Sequence, residues 1–358
     1  MNFDYNSARL MAQSMRIAWK IGDEKRDAGL QDRPDVESVR NIVYGPYGLF
    51  NALDIFYPKD RDKTADLPVI VNIHGGGWQY GDKELYRFYN QSLASRGFAV
   101  IGFNYRLAPE DAWPANLIDV NRVMTWLSAN APAFHLDTDR LFILGDSAGG
   151  QMAFWYTVLL TSPAYRALYE KAFPLKASSA DTHRETLPFT IGAYKMSGVP
   201  ADMLDIIPEA NMLPDDQYRF TVPADKLHIR ACALNCGIYD MVAALNSGKD
   251  VAFTNALGEF PLLSPEHKAV TSSLIDSWSH VTAAFPPAYI LSATHDFLRP
   301  MAQPLCDYLH EKGVTAECHI WGREEDEYMC HVFHVNQKLQ EAAEANDAEC
   351  AFFRKYLN

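Results

Sequence analysis

The chain carries a serine in a pattern that could support nucleophilic catalysis. Residues Gly145–Gly150 read GDSAGG and match G-x-S-x-G, in which the glycines relieve crowding in a strained turn between a strand and a helix. The apolar run Leu141–Leu144 before it is typical of a buried strand, and Gln151–Trp155 after it continues as a helix. A capped turn would also fit the motif alone, but this context favours a turn that presents Ser147 as a nucleophile.

A second glycine-rich segment could stabilise the negative charge that such a nucleophile creates. Residues His74–Trp78 read HGGGW and follow the apolar run Val69–Ile73. Glycine N–H groups can approach a developing oxyanion closely, because no side chain blocks them. We therefore predict Gly75 and Gly76 as donors, and the N–H of Ala148 as a third donor at the start of the helix. The histidine of HGGGW is interpreted as structural, since it precedes the glycines.

These segments, together with a third, resemble a known family. Residues Asn104–Glu110 read NYRLAPE, and Asp119 follows them. Three such segments in this order resemble the hormone-sensitive-lipase-like carboxylesterases of the α/β-hydrolase superfamily, over roughly residues 40–160 and 229–358. The resemblance implies an α/β-hydrolase fold, a serine esterase activity and a structural role for NYRLAPE in supporting the loops around the site.

A serine hydroxyl is a poor nucleophile at neutral pH, so it needs a general base and a carboxylate that orients this base. In an α/β-hydrolase the chain order is serine, acid, histidine. Asp296 follows the apolar run Ala288–Ala293, and Asp-Phe-Leu at this point is similar to the family's acid motif D-P-L. We predict Asp296 as the acid. Asp240, which follows the preceding predicted strand, is the alternative.

The predicted general base is His331. It follows the last predicted strand and begins the segment His-Val-Phe, which resembles the family's H-G-F with Val332 in place of glycine. Because of that departure, His334 stays open as the alternative base. His295 precedes the predicted acid and His319 lies on a strand, so both are interpreted as packed or hydrogen-bonded residues.

Short apolar runs alternate with helical patterns and predict a mostly parallel sheet. Nearly continuous apolar strands are typical of a sheet with helices on both faces. The predicted strands lie near 39–45, 52–58, 68–73, 98–104, 141–146, 231–237, 288–293 and 316–321. The predicted helices cover about 83–95, 114–130, 148–161, 299–312 and 336–356. The fold class is therefore α/β, with an eight-stranded α/β-hydrolase sheet flanked by helices.

Two segments fall outside the repeating pattern of strands and helices. We predict that residues 1–38 form an N-terminal cap segment, and that residues 39–358 form the catalytic domain with a cap or lid insertion at about 162–228. Residues 6–22 have helical periodicity and predict an amphipathic helix with one buried face. The apolar positions of that face are Leu10, Met11, Met15, Ala18, Trp19 and Ile21. The two added segments are expected to build the substrate pocket.

Composition narrows the functional classes. The 358 residues are 48% hydrophobic and 22% charged, which is typical of a globular protein. The net charge of -13 opposes binding to nucleic acid or to an anionic membrane surface. Neither a signal peptide nor a membrane span is evident, so a cytoplasmic location is expected. Dimers are common in the family, and the resemblance therefore allows a homodimer.

The sequence predicts neither a cofactor nor a metal site. A phosphate-binding loop, a dinucleotide motif and the HExxH zinc motif are all lacking. Six cysteines are present without a C-x-x-C pair, and Cys232, Cys236 and Cys318 lie in apolar runs. These are interpreted as reduced, buried thiols.

The predicted function is hydrolysis of short- to medium-chain carboxylic esters through an acyl-enzyme on Ser147, with a small ester as the partner molecule. Amide or peptide cleavage, or arylformamidase activity, on the same three residues is the alternative within enzymes. A catalytically silent ligand-binding protein is the alternative from another class, because a fold alone does not establish activity.

Overall fold

The computed structural model describes residues 4–172, 223–247, 251–258 and 265–358. In these ranges eight strands form one sheet in the order β1-β2-β4-β3-β5-β6-β7-β8. The strands are β1 (Val36–Val43), β2 (Ala52–Pro58), β3 (Leu67–Ile73), β4 (Ala99–Phe103), β5 (Leu136–Asp146), β6 (Ile229–Asn235), β7 (Ala288–Ala293) and β8 (Ala316–Trp321). Strand β2 pairs antiparallel with β1 and β4, and all other pairs are parallel. The predicted α/β-hydrolase fold is confirmed.

Helices flank this sheet. They are α1 (Tyr5–Asp27), α2 (Arg87–Ala94), α3 (Ala115–Asn130), α4 (Ala148–Thr161), α5 (Pro163–Ala172), α6 (Met241–Ser247), α7 (Val251–Leu257), α8 (Pro265–Ile275), α9 (Ala302–Glu311) and α10 (Gln340–Arg354). A search of the described residues for a helix of bilayer-spanning length and hydropathy found none.

The sheet separates two apolar cores. On one face, Val69 and Val71 of β3 pack with side chains of α3 and α4. On the other face, Ile70 of the same strand packs with α2 and α10, and Phe142 stacks on Phe353 with 4.7 Å between the ring centroids. Burial on both faces explains why the central strands are apolar without alternation. Their carboxyl ends are thereby held in fixed positions at one edge.

The bounds of β5 and α2 differ from the predicted ones, since β5 begins at Leu136 and not near residue 141. The periodic pattern predicts a helix from about residue 83, whereas α2 begins at Arg87. Residues before it form a turn in which Asp82 Oδ1 accepts hydrogen bonds from the N–H groups of Glu84 and Leu85. An aspartate that satisfies the backbone in this way competes with helix formation.

The helix predicted over 6–22 is present as α1, but the prediction of its buried face is wrong. Leu10 is 66% exposed and Ile21 is 63% exposed, whereas Ala8 and Ala12 are buried. Arg16 attaches the helix through polar contacts instead of an apolar stripe. Of the six predicted positions, only Met15 is even half-buried.

The segment predicted as an insertion, 162–228, lies largely outside the described residues, which omit 173–222. Its first part forms α5, which packs on the core. Tyr165 and Tyr169 of α5 are fully buried, and both hydroxyls donate to the carbonyl of Leu274 at the end of α8.

Candidate active site

Ser147 lies in a sharp turn between β5 and α4. Its backbone has φ +55° and ψ -121°, a conformation that L-residues adopt only under constraint. A Cβ at Gly145 would lie 2.4 Å from the carbonyl oxygen of Gly149, and a Cβ at Gly149 would lie 1.9 Å from that of Ile73. The glycines are therefore required by close backbone approach. The N–H of Ser147 donates to the carbonyl of Asn235 at 2.8 Å, which ties the turn to β6.

The structure brings the three predicted side chains into one chain of hydrogen bonds. His331 Nε2 lies 2.9 Å from Ser147 Oγ, and His331 Nδ1 lies 2.7 Å from Asp296 Oδ1. The residues follow β5, β7 and β8, whose carboxyl ends meet at the same edge of the parallel sheet. This geometry can transfer the serine proton to the imidazole.

Asp296 is held by groups other than the histidine. Ser292 Oγ donates to its Oδ2 at 2.8 Å, and the N–H of Leu298 donates to its Oδ1 at 2.8 Å. Burial alone would raise the pKa of Asp296, but the hydrogen bond and the charge of His331 outweigh burial, and the pKa is lowered. The carboxylate is therefore ionised at neutral pH and can stabilise an imidazolium.

The two alternative residues lie in other environments. His334 is fully buried, and neither ring nitrogen has a hydrogen-bond partner in the described part of the chain. Burial lowers the pKa of His334 to about 3, so it stays neutral. Asp240 Oδ1 accepts from the N–H of Ala243 at the start of α6. The structure thus places Asp296 and His331, and neither alternative, beside Ser147.

His74 is fixed at the start of the glycine loop by contacts with Tyr105. Its ring stacks on Tyr105 with 4.1 Å between centroids, and the Tyr105 hydroxyl donates to the His74 carbonyl at 2.8 Å. Burial lowers the pKa of His74 to about 4. NYRLAPE is anchored in turn by Arg106, whose Nε lies 2.9 Å from Asp119 Oδ2. Through these contacts, the NYRLAPE segment holds His74 and the start of the glycine loop in place.

The structure differs from the prediction at Gly75. Its N–H donates to Tyr86 Oη at 3.0 Å, and this hydroxyl donates to Asp146 Oδ2 at 2.7 Å. Gly75 is therefore already engaged. Across the described ranges, no hydrogen bond involves the N–H groups of Gly76, Gly77 or Ala148.

The sequence did not indicate that Tyr86 would accept a hydrogen bond from the N–H of Gly75, nor that the N–H of Gly77 would have no hydrogen-bond partner among the described residues. The three glycines of HGGGW are indistinguishable by type, and nothing in the sequence indicated which N–H another side chain would occupy. Tyr86 lies eleven residues after Gly75, and its contact with Asp146 arises only when the turn before α2 folds over the loop.

A cavity of about 730 Å³ opens above Ser147 and His331. Helix α1 contributes Met15, Trp19 and Asp23 to its wall. The loop after β3 and the segment after β7 contribute aromatic side chains. These are Trp78, Tyr80, Tyr86 and Phe297. The cavity is thus apolar over most of its wall, and Asp23 is paired with Arg26 at 2.8 Å.

Comparison with known proteins gives the following relatives. The BD-FAE family model matches residues 53–183. The probable carboxylic ester hydrolase LipM of Mycobacterium tuberculosis is 35% identical over 133 residues, which is 37% of this chain and 31% of LipM. Esterase LipQ of the same organism is 31% identical over 133 residues, covering 37% of this chain and 32% of LipQ. The matches thus span about a third of the length of these curated relatives.

Two solved structures are similar over nearly the whole chain. Esterase B from Lactobacillus rhamnosis has a TM-score of 0.71 at 20% identity, covering 99% of this chain and 96% of that one. The carboxylesterase EstE1, cloned from a metagenomic library, has a TM-score of 0.63 at 19% identity, covering 97% of this chain and 98% of that one.

The sheet order, the strained serine turn and these structural neighbours show that the chain has the α/β-hydrolase fold. Over part of its length, the chain is also similar to the BD-FAE family model and to the esterases LipM and LipQ.

Proposed function

We propose that the protein is a serine carboxylesterase that hydrolyses small carboxylic esters through an acyl-enzyme on Ser147. The observation that carries the proposal is the hydrogen-bonded series Ser147, His331 and Asp296, which opens into the cavity. Relatives whose names call them ester hydrolases or esterases support the reaction class.

In the first half of the reaction, Ser147 Oγ attacks the ester carbonyl while His331 Nε2 accepts its proton. Asp296, hydrogen-bonded to Nδ1, stabilises the imidazolium. The N–H groups of Gly76, Gly77 and Ala148 are the donors we propose for the oxyanion, because they lie at the cavity and have no other hydrogen-bond partner among the described residues. One such donor is worth about 10²–10³ in kcat.

In the second half, the imidazolium protonates the departing alcohol. Water then enters, His331 accepts a proton from it, and the resulting hydroxide attacks the acyl carbon. The tetrahedral intermediate uses the same donors, and its collapse returns the proton to Ser147 Oγ. The carboxylic acid leaves, and the hydrogen-bonded series is restored.

We further propose acyl chains of short to medium length. The cavity of about 730 Å³ lies within the range of small-molecule sites, and its aromatic wall suits apolar acyl groups. With p-nitrophenyl esters, acetate or butyrate should be hydrolysed faster than palmitate. A preference for palmitate would overturn this assignment.

The nucleophile is tested by fluorophosphonate labelling and intact-protein mass spectrometry. We expect one adduct on the wild type, none on Ser147→Ala, and normal labelling of Ser273→Ala, which removes an exposed serine of α8. An unlabelled wild type would contradict the esterase proposal and favour a binding protein. An adduct that survives Ser147→Ala would contradict the assigned nucleophile.

Ester and amide hydrolysis are separated by matched substrates. The butyrate ester of p-nitrophenol and the butyramide of p-nitroaniline have the same acyl group, so only the leaving group differs. We expect a far higher kcat/KM for the ester. Equal values would replace the esterase proposal by an amidase.

The proposed oligomeric state rests on the surface of α1. We propose a homodimer, for which the apolar side chains exposed on α1 offer a surface, and sedimentation velocity would test it.

We propose a cytoplasmic location because all six cysteines are free thiols, as is usual in a reducing compartment. Fractionation of cells would test the location.

A further inference from the structure

Cys236 adds a third metal-binding side chain beside the acid and the base. It is the residue after β6, has φ +50°, and its N–H donates to the carbonyl of Leu291 on β7 at 2.6 Å. Cys236 Sγ, a carboxylate oxygen of Asp296 and a ring nitrogen of His331 all lie within 4.8 Å of one another. Nδ1 is the nitrogen on this side, because it lies 2.7 Å from Asp296 Oδ1.

Thiolate, imidazole and carboxylate form a ligand set that suits Zn²⁺. Zinc binds these groups at about 2.3, 2.0 and 2.1 Å, so the ligand atoms around a tetrahedral ion lie roughly 3.3–3.8 Å apart. The three side chains are therefore within about an ångström of a binding arrangement. The charges also match, since one thiolate and one carboxylate neutralise a divalent ion in a buried place.

We propose that Cys236, Asp296 and His331 form an inhibitory site for a thiophilic divalent cation such as Zn²⁺. Cys236 and Asp296 are buried, and of the three ligands only His331 borders the adjoining cavity. The fourth ligand in this proposal is water that enters from the cavity past His331. Binding depends only on these three side chains, whereas the inhibitory consequence rests on the proposed function.

The inhibition follows from the proton balance of His331. In the resting neutral ring, Nδ1 carries a proton toward Asp296, and Nε2 accepts from Ser147. When the ion binds Nδ1, the single proton of the neutral ring lies on Nε2, which can no longer accept the serine proton. Cys236 releases its thiol proton to solvent as sulfur binds the ion. Each ion thus displaces one proton, and no electron is transferred.

Cys236 differs from the neighbouring Cys330 in that its sulfur lies close to the ligand atoms of Asp296 and His331. Cys330 is exposed and adjacent to His331 in sequence, yet it does not belong to the cluster. Within the residues that the structure covers, no other three His, Cys, Asp or Glu side chains bring ligand atoms equally close. Cys330 therefore serves as a matched control.

Binding is tested without activity, on chelator-treated Ser147→Ala protein titrated with Co²⁺. We expect a near-ultraviolet charge-transfer band of thiolate-bound Co²⁺ that saturates at one ion per chain. Adding Cys236→Ser should abolish the band, and adding Cys330→Ser should preserve it. Absence of the band, or its loss with Cys330→Ser alone, would overturn the site. If Cys236→Ser does not fold, Asp296→Asn in the same background must weaken the band.

Inhibition is tested by Zn²⁺ titration of ester hydrolysis, with each variant compared with its own uninhibited rate. EDTA should restore the wild type, and Cys236→Ser should need at least about tenfold more Zn²⁺ for half-inhibition. Cys330→Ser should respond as the wild type does. Equal sensitivity of Cys236→Ser would overturn the inhibitory role. A Co²⁺ band in a protein without esterase activity would contradict the proposed function but leave the metal site standing.

Discussion

The two walls of the cavity are built in opposite ways. One wall holds Ser147 and His331. These two residues and Asp296 follow strands of a single sheet whose register fixes their spacing. The other wall is α1, a helix that exposes most of its large apolar side chains and is attached through arginines. We infer that changes on the first wall alter the chemical step, whereas changes on the second alter substrate binding.

The attachment of α1 is concentrated at Arg16. Its guanidinium donates to both carboxylate oxygens of Glu110 at 2.7 and 2.8 Å. It also donates to the carbonyls of Gln79 at 2.7 Å and Ala108 at 3.0 Å. Arg16 thus links the helix to both the glycine loop and NYRLAPE.

The largest effect is expected at the general base. His331→Ala should lower kcat by about 10⁴–10⁶, because Ser147 loses its proton acceptor. His334→Leu should change kcat by less than about threefold, since the ring nitrogens of His334 have no partner among the described residues. Steady-state kinetics with an ester checks both. A larger loss in His334→Leu than in His331→Ala would assign the general base to His334 instead.

A smaller effect is expected at Tyr86, which positions the glycine loop on the same wall. Tyr86→Phe leaves the N–H of Gly75 and the carboxylate of Asp146 without their partner. A displaced loop should lower kcat about 10- to 100-fold with little change in KM. Tyr156→Phe is the control, because it loses a buried hydroxyl that donates to Asn121 away from the cavity. It should lose stability but keep kcat.

The Tyr86 variant also has a pH signature. Burial raises the pKa of Asp146 to about 6, although the hydrogen bond from Tyr86 lowers it. In the wild type, the hydrogen bond from Tyr86 stabilises the ionised carboxylate of Asp146, and this form is populated mainly above that pKa. The unfolding free energy of Tyr86→Phe relative to wild type should therefore fall further at about pH 8 than at about pH 5. A difference independent of pH would show that Asp146 is not the group affected.

The two walls also differ in how much of their structure could be predicted from the sequence. The bounds of β7 and β8 agree with the predicted strands, and Asp296 and His331 follow from them. Strand β7 is buried throughout, so its apolar run gives a strong local signal. Selecting His331 over His334 needed three-dimensional distances. The burial of α1 could not be predicted, since helical periodicity identifies an apolar face but not whether anything covers it. The hydrogen bond that occupies the N–H of Gly75 could not be predicted for a similar reason, because its partner Tyr86 lies on a later turn.

On the second wall, Arg16→Met should affect binding more than chemistry. It leaves the buried carboxylate of Glu110 without its ion-pair partner, which should cost about 3–5 kcal/mol of unfolding free energy. Displacement of Met15 and Trp19 should raise KM by about three- to tenfold, with kcat nearly unchanged. The double variant Arg16→Met/Glu110→Gln should recover part of the stability, because it removes the unpaired charge. A fall in kcat larger than the rise in KM would contradict the division between the walls.

The smallest effects are expected on the outer face of α1. Leu10→Gln and Ile21→Gln should each change the unfolding free energy by less than about 0.5 kcal/mol, because both side chains are already exposed. Ala12→Leu on the same helix should cost about 1–3 kcal/mol, because Ala12 is fully buried and has no room for a larger side chain. Chemical denaturation at low protein concentration measures all three.

The dependence of these stability changes on protein concentration shows whether anything covers the outer face of α1. If a second copy covers the outer face of α1, Leu10→Gln and Ile21→Gln lose stability only at concentrations where the wild type is dimeric, since mass action links folding to association. If another part of the same chain covers it, the loss is independent of concentration and exceeds about 1 kcal/mol. No loss at any concentration means that α1 is held by its polar contacts, at Arg16, Asp23 and Arg26, and by its small buried residues. The first wall would then be the only one whose geometry depends on the apolar core.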